Sequence, residues 1–334
     1  MFSIQTLLTS RRCAINGVFA LAACAAAALP WTVAAQPAWP VKPVRVIAPF
    51  PPGGTSDVIG RLIGAKLQEA LGQPVLVENR PGAGGSLGTE VAAKAAADGY
   101  TILVGNASPI SINPLLVKYQ YDTLRDFLPI SLVARSPQLL VVHPSVPVKD
   151  IKQLIPFVRA QKGGINYGSS GVGTLAHLAA EQFKDMTKTE MTHITYKGSI
   201  LVVQDMVAGN IPIAWSDMAP ALPQVKAGKL RALAVTSPKE SALVPGVPTM
   251  ASVLPGFDMV NWWGLFVPTG TPAAIVSRLN AELLKIMKMP DVVERFASLG
   301  VEALSSTPEE LNTLVRNEIA SFGKLIRQAN IKAD

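Results

Sequence analysis

Three polar, glycine-bearing turns have the composition of an anion-binding site. Their sequences are Pro51-Pro52-Gly53-Gly54-Thr55-Ser56-Asp57, Gly82-Ala83-Gly84-Gly85-Ser86 and Gly168-Ser169-Ser170-Gly171-Val172-Gly173-Thr174. Each follows a short apolar run typical of a strand and precedes an apolar repeat typical of a helix. A helix start offers unpaired N–H groups, and glycine lets a ligand approach the backbone closely. The turns therefore predict a binding site for a carboxylate or phosphate. The simpler alternative is that they are ordinary connections between a strand and a helix.

Other chemistry finds little support in the residue types. His177 and Glu181 are four positions apart on a predicted helix, but no further ligand is near, so an exposed polar pair is favoured over a metal site. The run Gly168-Ser169-Ser170-Gly171 is not a nucleophile elbow, because Val172 stands where that motif needs glycine. No P-loop ending is present. We therefore predict no enzyme activity, no metal and no cofactor. Three further candidates are predicted to be packing residues: Trp262, Trp263 and His193.

The elements that carry these turns alternate between short apolar strands and amphipathic helices. This alternation predicts an α/β fold with mainly parallel strands. Two longer extended runs, at Leu139–His143 and Met259–Phe266, are predicted to cross between two lobes. The predicted lobe 1 is discontinuous, 36–139 plus 260–334, and lobe 2 is 140–259. A cleft between such lobes can close around a ligand by hinge motion.

Residues 1–35 are predicted to be a signal peptide. Arg11 and Arg12 precede an Ala-rich apolar stretch, and Val33-Ala34-Ala35 fits a small-residue cleavage site. A lipoprotein anchor at Cys24 is the less favoured alternative, because the apolar run continues past that residue. Cleavage after Ala35 removes both cysteines, so the mature chain is expected to lack disulfides and thiolate sites. The predicted location is the periplasm.

The net charge is mildly positive, +7 for the 334 residues. Loss of Arg11 and Arg12 with the leader lowers it to +5, with 28 basic residues against 23 acidic ones. The basic residues are spread along the chain and do not alternate with aromatic residues, so no nucleic-acid partner is expected. A mildly positive cleft suits an anionic ligand. After the leader, no stretch approaches the ~18 consecutive apolar residues of a membrane span.

A set of motifs recurs in a fixed order along residues 39–334. The motifs are Pro49-Phe50-Pro51-Pro52-Gly53-Gly54-Thr55-Ser56-Asp57, Glu78-Asn79-Arg80-Pro81-Gly82, Asp98-Gly99-Tyr100-Thr101, Tyr167-Gly168-Ser169-Ser170-Gly171, Tyr196-Lys197-Gly198 and Trp263-Gly264-Leu265-Phe266-Val267-Pro268. Together they resemble the periplasmic solute receptors of the tripartite tricarboxylate transporter system, also called Bug receptors. The resemblance implies a type II periplasmic binding fold that holds a small carboxylated metabolite without changing it. It implies a monomer whose partners are membrane transporter subunits or a sensor kinase.

The same resemblance implies the ligand-binding residues. Hydroxyl and backbone N–H groups of the first-lobe and second-lobe turns would hold the ligand carboxylate, with waters bridging to the first lobe. Asp57 is expected either to cap the following helix or to position a water, because a bare carboxylate would repel the ligand. The implied residues are Phe50, Gly54, Thr55, Asp57, Asn106, Ser108, Ser169, Ser170, Gly173, Thr174, Ser216 and Asp217.

Two departures from the family pattern bear on which carboxylate is bound. Ser199-Ile200-Leu201 stand where small residues and a proline are usual, which implies a smaller or more apolar pocket if that turn faces the ligand. The usual Asp at the end of the following strand falls on Ser216, with Asp217 one place later. The resemblance leaves transport and signalling open, and an enzyme on a similar two-lobed fold remains the more distant alternative.

Overall fold

Mixed strand and helix structure fills the part of the chain that a computed structural model describes, residues 39–329 and 331–332. The predicted signal peptide and Cys24 lie outside the described residues. Within them, no helix is both long enough and apolar enough to cross a membrane.

Within residues 39–329 and 331–332, ten strands form one mixed sheet in the order β2-β1-β3-β9-β4-β7-β5-β6, with β8 and β10 pairing on β4. The predicted α/β class is confirmed. The expectation of mainly parallel strands is not met, because β4 and β9 pair antiparallel with all their neighbours, so that five of the nine strand pairs among the described residues are antiparallel. The strands are β1 Val44–Ala48, β2 Val75–Asn79, β3 Thr101–Asn106, β4 Phe127–Val142, β5 Ile165–Ser169, β6 Met191–Thr195, β7 Ile213–Asp217, β8 Arg231–Val235, β9 Val260–Pro268 and β10 Glu302–Ala303.

Two parallel groups meet on a pair of long antiparallel strands. Strands β1, β2 and β3 are parallel to one another, as are β5, β6 and β7. The first part of β4, from Phe127 to Pro137, pairs with β9, and its last part, from Gln138 to Val142, pairs with β7 and β8. The predicted crossings overlap these two long strands, while the lobe boundaries remain a prediction.

Helices follow most of the parallel strands. Each helix packs on the sheet because one of its faces is an apolar stripe that the sheet buries. In the first helix, Ile59, Ile63, Leu67 and Leu71 recur every four residues and are all buried, each burial stabilising the fold by roughly 1.5–3 kcal/mol. The helices are α1 Thr55–Leu71, α2 Ser86–Ala93, α3 Asn113–Leu116, α4 Thr123–Asp126, α5 Ile151–Arg159, α6 Leu175–Thr187, α7 Ser199–Val207, α8 Met218–Lys226, α9 Ala273–Ile286, α10 Pro290–Ser298 and α11 Pro308–Gln328.

Helix α11 begins with a capping box and holds a half-buried acid against β9. Thr307 and Glu310 form this reciprocal capping box. Further along the helix, the Glu318 carboxylate accepts a 2.6 Å hydrogen bond from Trp262 Nε1. Burial raises the pKa of Glu318 to about 7, although hydrogen bonds from Trp262 and Ser111 oppose the shift. Trp262 and Trp263 are both buried, as predicted.

Candidate ligand-binding site

The first glycine turn leads into the N-terminus of α1. The N-cap residue is Gly54, which has no side chain to cap the N–H groups of the first helical turn. Its own N–H donates back to Pro51 O at 3.2 Å. Thr55, Ser56 and Asp57 follow and are buried, with their backbone N–H groups at the positive end of the helix dipole. This end of α1 has the donors that an anion site requires.

The Asp57 carboxylate stabilises the turn that precedes its helix. It accepts the Gly53 N–H at 2.9 Å and forms an ion pair with Arg61 at 2.9 Å. Burial alone would raise the pKa of Asp57, but hydrogen bonds from Arg61, Gly53 and Asn79 outweigh it and lower the pKa. Asp57 therefore orders the start of α1, and its predicted role in positioning a water stays a prediction.

Phe50 packs between the turn at Pro51–Asp57 and the turn at Gly82–Ser86. Its ring is buried against Gly85, where an added Cβ would lie 3.0 Å from the ring carbons. The Asn79 side chain donates to Phe50 O at 3.0 Å and so joins the end of β2 to the first turn. The expectation that Phe50 forms a wall of the binding cleft remains a prediction.

The polar end of β3 contacts the second-lobe turn. Asn106 Oδ1 accepts the Ser108 N–H at 3.1 Å, which orders the backbone after the strand. Ser108 Oγ in turn accepts the N–H of Leu175, the first residue of α6, at 3.2 Å. Asn106 and Ser108 thus lie beside the second turn, as residues of one site must.

The second-lobe turn, Gly168–Thr174, which we call the second turn, is held by hydrogen bonds among its own residues and His177. The Thr174 hydroxyl donates to Gly171 O at 2.7 Å and caps α6 by accepting the His177 N–H at 3.4 Å. Ser169 Oγ accepts the Gly171 N–H at 3.2 Å. The Gly173 N–H donates to His177 Nδ1 at 3.2 Å. The Gly173 backbone therefore already has a partner within the protein.

The turns approach each other so closely that only glycine fits at the contacts. A Cβ at position 84 would lie 2.7 Å from Val172 O, and one at position 171 would lie 3.2 Å from Gly84 Cα. A Cβ at Gly198 would lie 2.7 Å from Pro51 Cδ. All three glycines have positive φ angles, of 60°, 139° and 156°. Glycine is thus required for backbone conformation and for close approach.

The Asp217 carboxylate lies where four separate elements converge. Its Oδ2 atom accepts hydrogen bonds from Thr55 Oγ1 at 3.4 Å and Ser199 Oγ at 3.1 Å. Its Oδ1 atom accepts from the side-chain amides of Gln138 and Asn261, both at 3.3 Å. Thr55 and Ser199 open α1 and α7, and Asp217 is itself the N-cap residue of α8. Three helix N-termini therefore meet at one carboxylate.

Desolvation dominates the electrostatics of Asp217. Loss of water around the carboxyl raises its pKa, while the hydrogen bonds from Asn261, Gln138, Ser199 and Thr55 act in the opposite direction.

Two predicted residues make no hydrogen bond to the first turn within the described residues. Ser170 is buried in the second turn, and Ser216 is buried in β7, where its hydroxyl donates to Asp217 O at 3.2 Å. Of the neighbouring candidates Ser216 and Asp217, it is Asp217 whose side chain contacts Thr55, 162 positions away in the sequence.

The expectation of an exposed polar pair at His177 and Glu181 is wrong. His177 is only 2% exposed, because its ring lies under the second turn and stacks on His193. His177 Nε2 is 4.0 Å from Glu181 Oε1. The described residues contain no group of three or more His, Cys, Asp or Glu side chains that could hold a metal ion.

Sequence reasoning missed several residues that order the site. A polar residue inside an apolar strand run was the available signal for Gln138 and Asn261, which are buried donors in β4 and β9. Trp263 Nε1 donates to Ser56 Oγ at 3.0 Å, a contact across 207 positions that no local pattern indicates. The other missed residues are Ser199 and His193, which contact Asp217 and Ser169 respectively.

Comparison with known proteins agrees with this geometry. The tripartite tricarboxylate transporter family receptor profile matches residues 59–331. Protein BugT of Bordetella pertussis is 36% identical over 297 residues, covering 88% of this chain and 91% of BugT. Two solved structures have the same fold. R. palustris Rpa4515 with adipate is 34% identical, with a TM-score of 0.85 over 88% of this chain and 99% of that one. MatC of Rhodopseudomonas palustris with bound malate is 32% identical, with a TM-score of 0.82 over 86% of this chain and 100% of MatC.

Fold and site together define a solute-binding protein of the periplasmic binding class. The chain belongs to the tripartite tricarboxylate transporter receptor family, the Bug-type receptors. The resemblance inferred from the sequence motifs is confirmed, as are the type II periplasmic binding fold and the role of a solute-binding receptor.

Proposed function

We propose that this chain is a periplasmic receptor that closes its two lobes around a small carboxylated metabolite and presents it to membrane transporter subunits. The observation that carries the proposal is the convergence of the α1 and α7 N-termini at Asp217, whose carboxylate contacts both Thr55 and Ser199. Hydroxyls, amides and backbone N–H groups supply donors there, which suits a carboxylate held by hydrogen bonds.

The ligand-binding groups in this proposal lie at the first-lobe turn, at the second-lobe turn and at the ends of β3 and β7. Thr55 and the N–H groups after Gly54 hold the carboxylate from one lobe, and Ser170 with its neighbours holds it from the other. The adipate in Rpa4515 and the malate in MatC support small carboxylates as the ligand class. The lobes are 36–139 plus 260–334 and 140–259, and the receptor acts as a monomer.

The test is a thermal-shift screen of the processed protein recovered from the periplasm of an expressing bacterium. Intact mass is expected to correspond to a chain that begins at Gln36. The protein is unfolded and refolded to remove co-purified ligand, then screened against mono-, di- and tricarboxylates and amino acids. A ligand at a hundred times its Kd stabilises the native state by about 2.7 kcal/mol, which raises Tm by about 5 °C at this chain length.

A flat screen, together with native mass spectra that show no co-purified acid, would contradict the proposal. Turnover of a candidate acid by the purified protein would favour the alternative of an enzyme. The choice between transport and signalling is decided by the partner. Loss of uptake of the identified acid on deletion of the gene supports transport, whereas unchanged uptake with loss of an acid-induced transcriptional response supports a sensor kinase.

A further inference from the structure

Gln138 presents an acceptor beside the Asp217 carboxylate that no group uses in the described part of the chain. Its Nε2 atom donates to Asp217 Oδ1 at 3.3 Å, which fixes the orientation of the amide because an ionised carboxylate only accepts. The Oε1 atom of the same amide is buried and has no hydrogen-bond partner there. The amide of Asn261, in contrast, uses both ends, since its Oδ1 atom accepts the Trp262 N–H at 3.1 Å. A buried acceptor without a donor costs free energy, so Gln138 Oε1 indicates a donor that the described residues do not provide.

The negative charge of Asp217 meets only neutral donors in these contacts. Two are hydroxyls, of Thr55 and Ser199, and two are the side-chain amides of Gln138 and Asn261. Such hydrogen bonds stabilise a carboxylate but leave its net charge in place. Burial raises the pKa of Asp217 in spite of them, so they do not fully replace the lost water. Asp217 is nevertheless only half-buried, and part of the residue remains open to a ligand.

A ligand carboxylate at the start of α1 would lie close to this charge. Thr55 belongs to both places, because its backbone N–H is at the N-terminus of α1 and its hydroxyl is 3.4 Å from Asp217 Oδ2. The proposed carboxylate position and Asp217 are therefore separated by about the length of one residue. Two carboxylates at that separation repel each other, and more strongly where water is partly excluded. Either a proton on Asp217 or a positive charge on the ligand must remove this repulsion.

The unused acceptor of Gln138 distinguishes these two possibilities. An ammonium group has three N–H donors, enough for the Asp217 carboxylate and Gln138 Oε1 together. A protonated Asp217 has one donor, and a hydroxyl on the ligand also has one, so neither serves both acceptors. The positive ends of α1, α7 and α8 disfavour an isolated cation. An ammonium group avoids this cost because the Asp217 carboxylate and the carboxylate of the ligand lie on either side of it.

We propose that Asp217 and Gln138 Oε1 form an ammonium subsite, and that the solute is an amino acid whose ammonium group lies here while its carboxylate lies at the N-terminus of α1. The inference rests on the proposed function, because it names the class of solute that the same site binds. The shared contact with Thr55 requires a short distance between the two charged groups of the ligand. An α-amino acid has this arrangement, since its ammonium and carboxylate groups are attached to one carbon.

Pairs of acids that differ only in the group next to the carboxylate test the subsite. The pairs are L-alanine and L-lactate, L-aspartate and L-malate, L-glutamate and L-2-hydroxyglutarate, and L-leucine and L-2-hydroxyisocaproate. Binding to refolded, ligand-free protein is measured by calorimetry at pH 7.5. Asp217→Asn keeps the shape of the side chain but removes its charge. Asp185→Asn is the matched control, because it removes an exposed carboxylate on α6 that pairs with Lys188 at 2.8 Å.

The parent should bind the amino acid of the best-bound pair at least about tenfold more tightly than the hydroxy acid, because only the ammonium group neutralises Asp217. Asp217→Asn should weaken binding of the amino acid by at least about thirtyfold, the effect of removing one partner of a desolvated charge pair. Binding of the hydroxy acid should be unchanged or tighter in the Asn protein, since the repelling charge is gone. Asp185→Asn should bind both acids within about threefold of the parent.

Two results would overturn the inference and leave the proposed function standing. One is a parent that binds the hydroxy acid as tightly as the amino acid, or more tightly. The other is an unchanged ratio of the two affinities in the Asp217→Asn protein, because an amide can replace a protonated acid as a donor but cannot replace an anion. Either result would assign a proton, and not a ligand ammonium group, to Asp217.

Native mass spectra of the protein before it is unfolded give a second readout. A co-purified acid with a basic nitrogen next to its carboxylate supports the subsite, and a co-purified acid without one overturns it. If no member of any pair binds and no ligand co-purifies, the proposed function is contradicted and this inference falls with it.

Discussion

Replacement of Asp217 tests whether the convergence of donors at its carboxylate stabilises the fold. In the Asp217→Ala protein, the side-chain amides of Gln138 and Asn261 lose their common acceptor. Both residues are almost fully buried, at 2% and 3% exposed. An unsatisfied buried donor costs about 1–3 kcal/mol, so the two together cost about 2–6 kcal/mol.

Asp217→Asn is the matched variant, because it keeps the shape and can satisfy the same neighbours. Its Oδ1 atom can accept both amide hydrogen bonds, and its Nδ2 group can donate to the Thr55 and Ser199 hydroxyls, which are free to rotate. We expect the Asn protein to lie within about 1 kcal/mol of the parent at pH 5. The Ala protein should then be at least about 2 kcal/mol less stable than the Asn protein, or about 4 °C lower in Tm.

The two substitutions also differ from the parent in their pH dependence. Burial raises the pKa of Asp217, so the native state takes up this proton at a higher pH than the unfolded chain. The stability that the proton provides is complete below the unfolded pKa of about 3.9 and is lost as the pH rises through the native pKa. The amide of the Asp217→Asn protein does not ionise and so has no such loss. The stability of the Asn protein relative to the parent should therefore increase from pH 4 upward.

Urea unfolding of the ligand-free parent, Asn and Ala proteins at pH 4, 5, 6 and 8 measures both effects. Equal stability of the Ala and Asn proteins would show that the amides of Gln138 and Asn261 find other partners. A parent that gains stability over the Asn protein as the pH rises would refute the assigned sign, because Asp217 would then be a net stabilising anion.

Three further outcomes follow from single contacts. Ser170→Asp should weaken binding of the identified acid by at least a hundredfold, or about 2.7 kcal/mol, whereas the exposed Ser298→Asp control should not change it, as calorimetry can check. The parent should lose stability on the order of 3 kcal/mol between pH 5 and 8, because Glu318 has a raised pKa of about 7 and is ionised as the pH rises. The Glu318→Gln protein should not show this loss when the two are compared by urea unfolding. Gly173→Ala should cost about 2 kcal/mol more than Gly228→Ala, because both glycines have positive φ but only the Cβ at position 173 overlaps another residue.

Local rules predicted the parts of the site that depend on a few neighbouring residues. Helices α1, α2 and α6 begin at the three glycine-bearing turns, as expected from the residue types on either side of each turn. The motif resemblance then related these separate turns to one family. Lobe boundaries and individual ligand contacts remain predictions.

Contacts set by strand register could not be predicted in the same way. Gln138 lies directly opposite Asp217 in the β4–β7 pair, and Asn261 lies opposite Ser136 in the β4–β9 pair. Both amides reach one carboxylate only because β4 changes partners between Pro137 and Gln138. A shift of one residue would turn each side chain to the other face of the sheet. The sequence shows polar residues within apolar strands but does not give this register.

Gly173 shows how tertiary packing adds a second requirement to a residue that local rules already explain. Its positive φ of 72° suffices to account for glycine in a turn. In the folded chain, however, a Cβ at this position would lie 2.2 Å from Asn113 Oδ1, and Asn113 Nδ2 donates to Gly84 O and Ser86 Oγ. The Asn113 side chain thus fills the space between the turns of two different lobes in our proposal. A larger residue at 173 would displace both turns, which is why we expect its substitution to affect stability and ligand binding together.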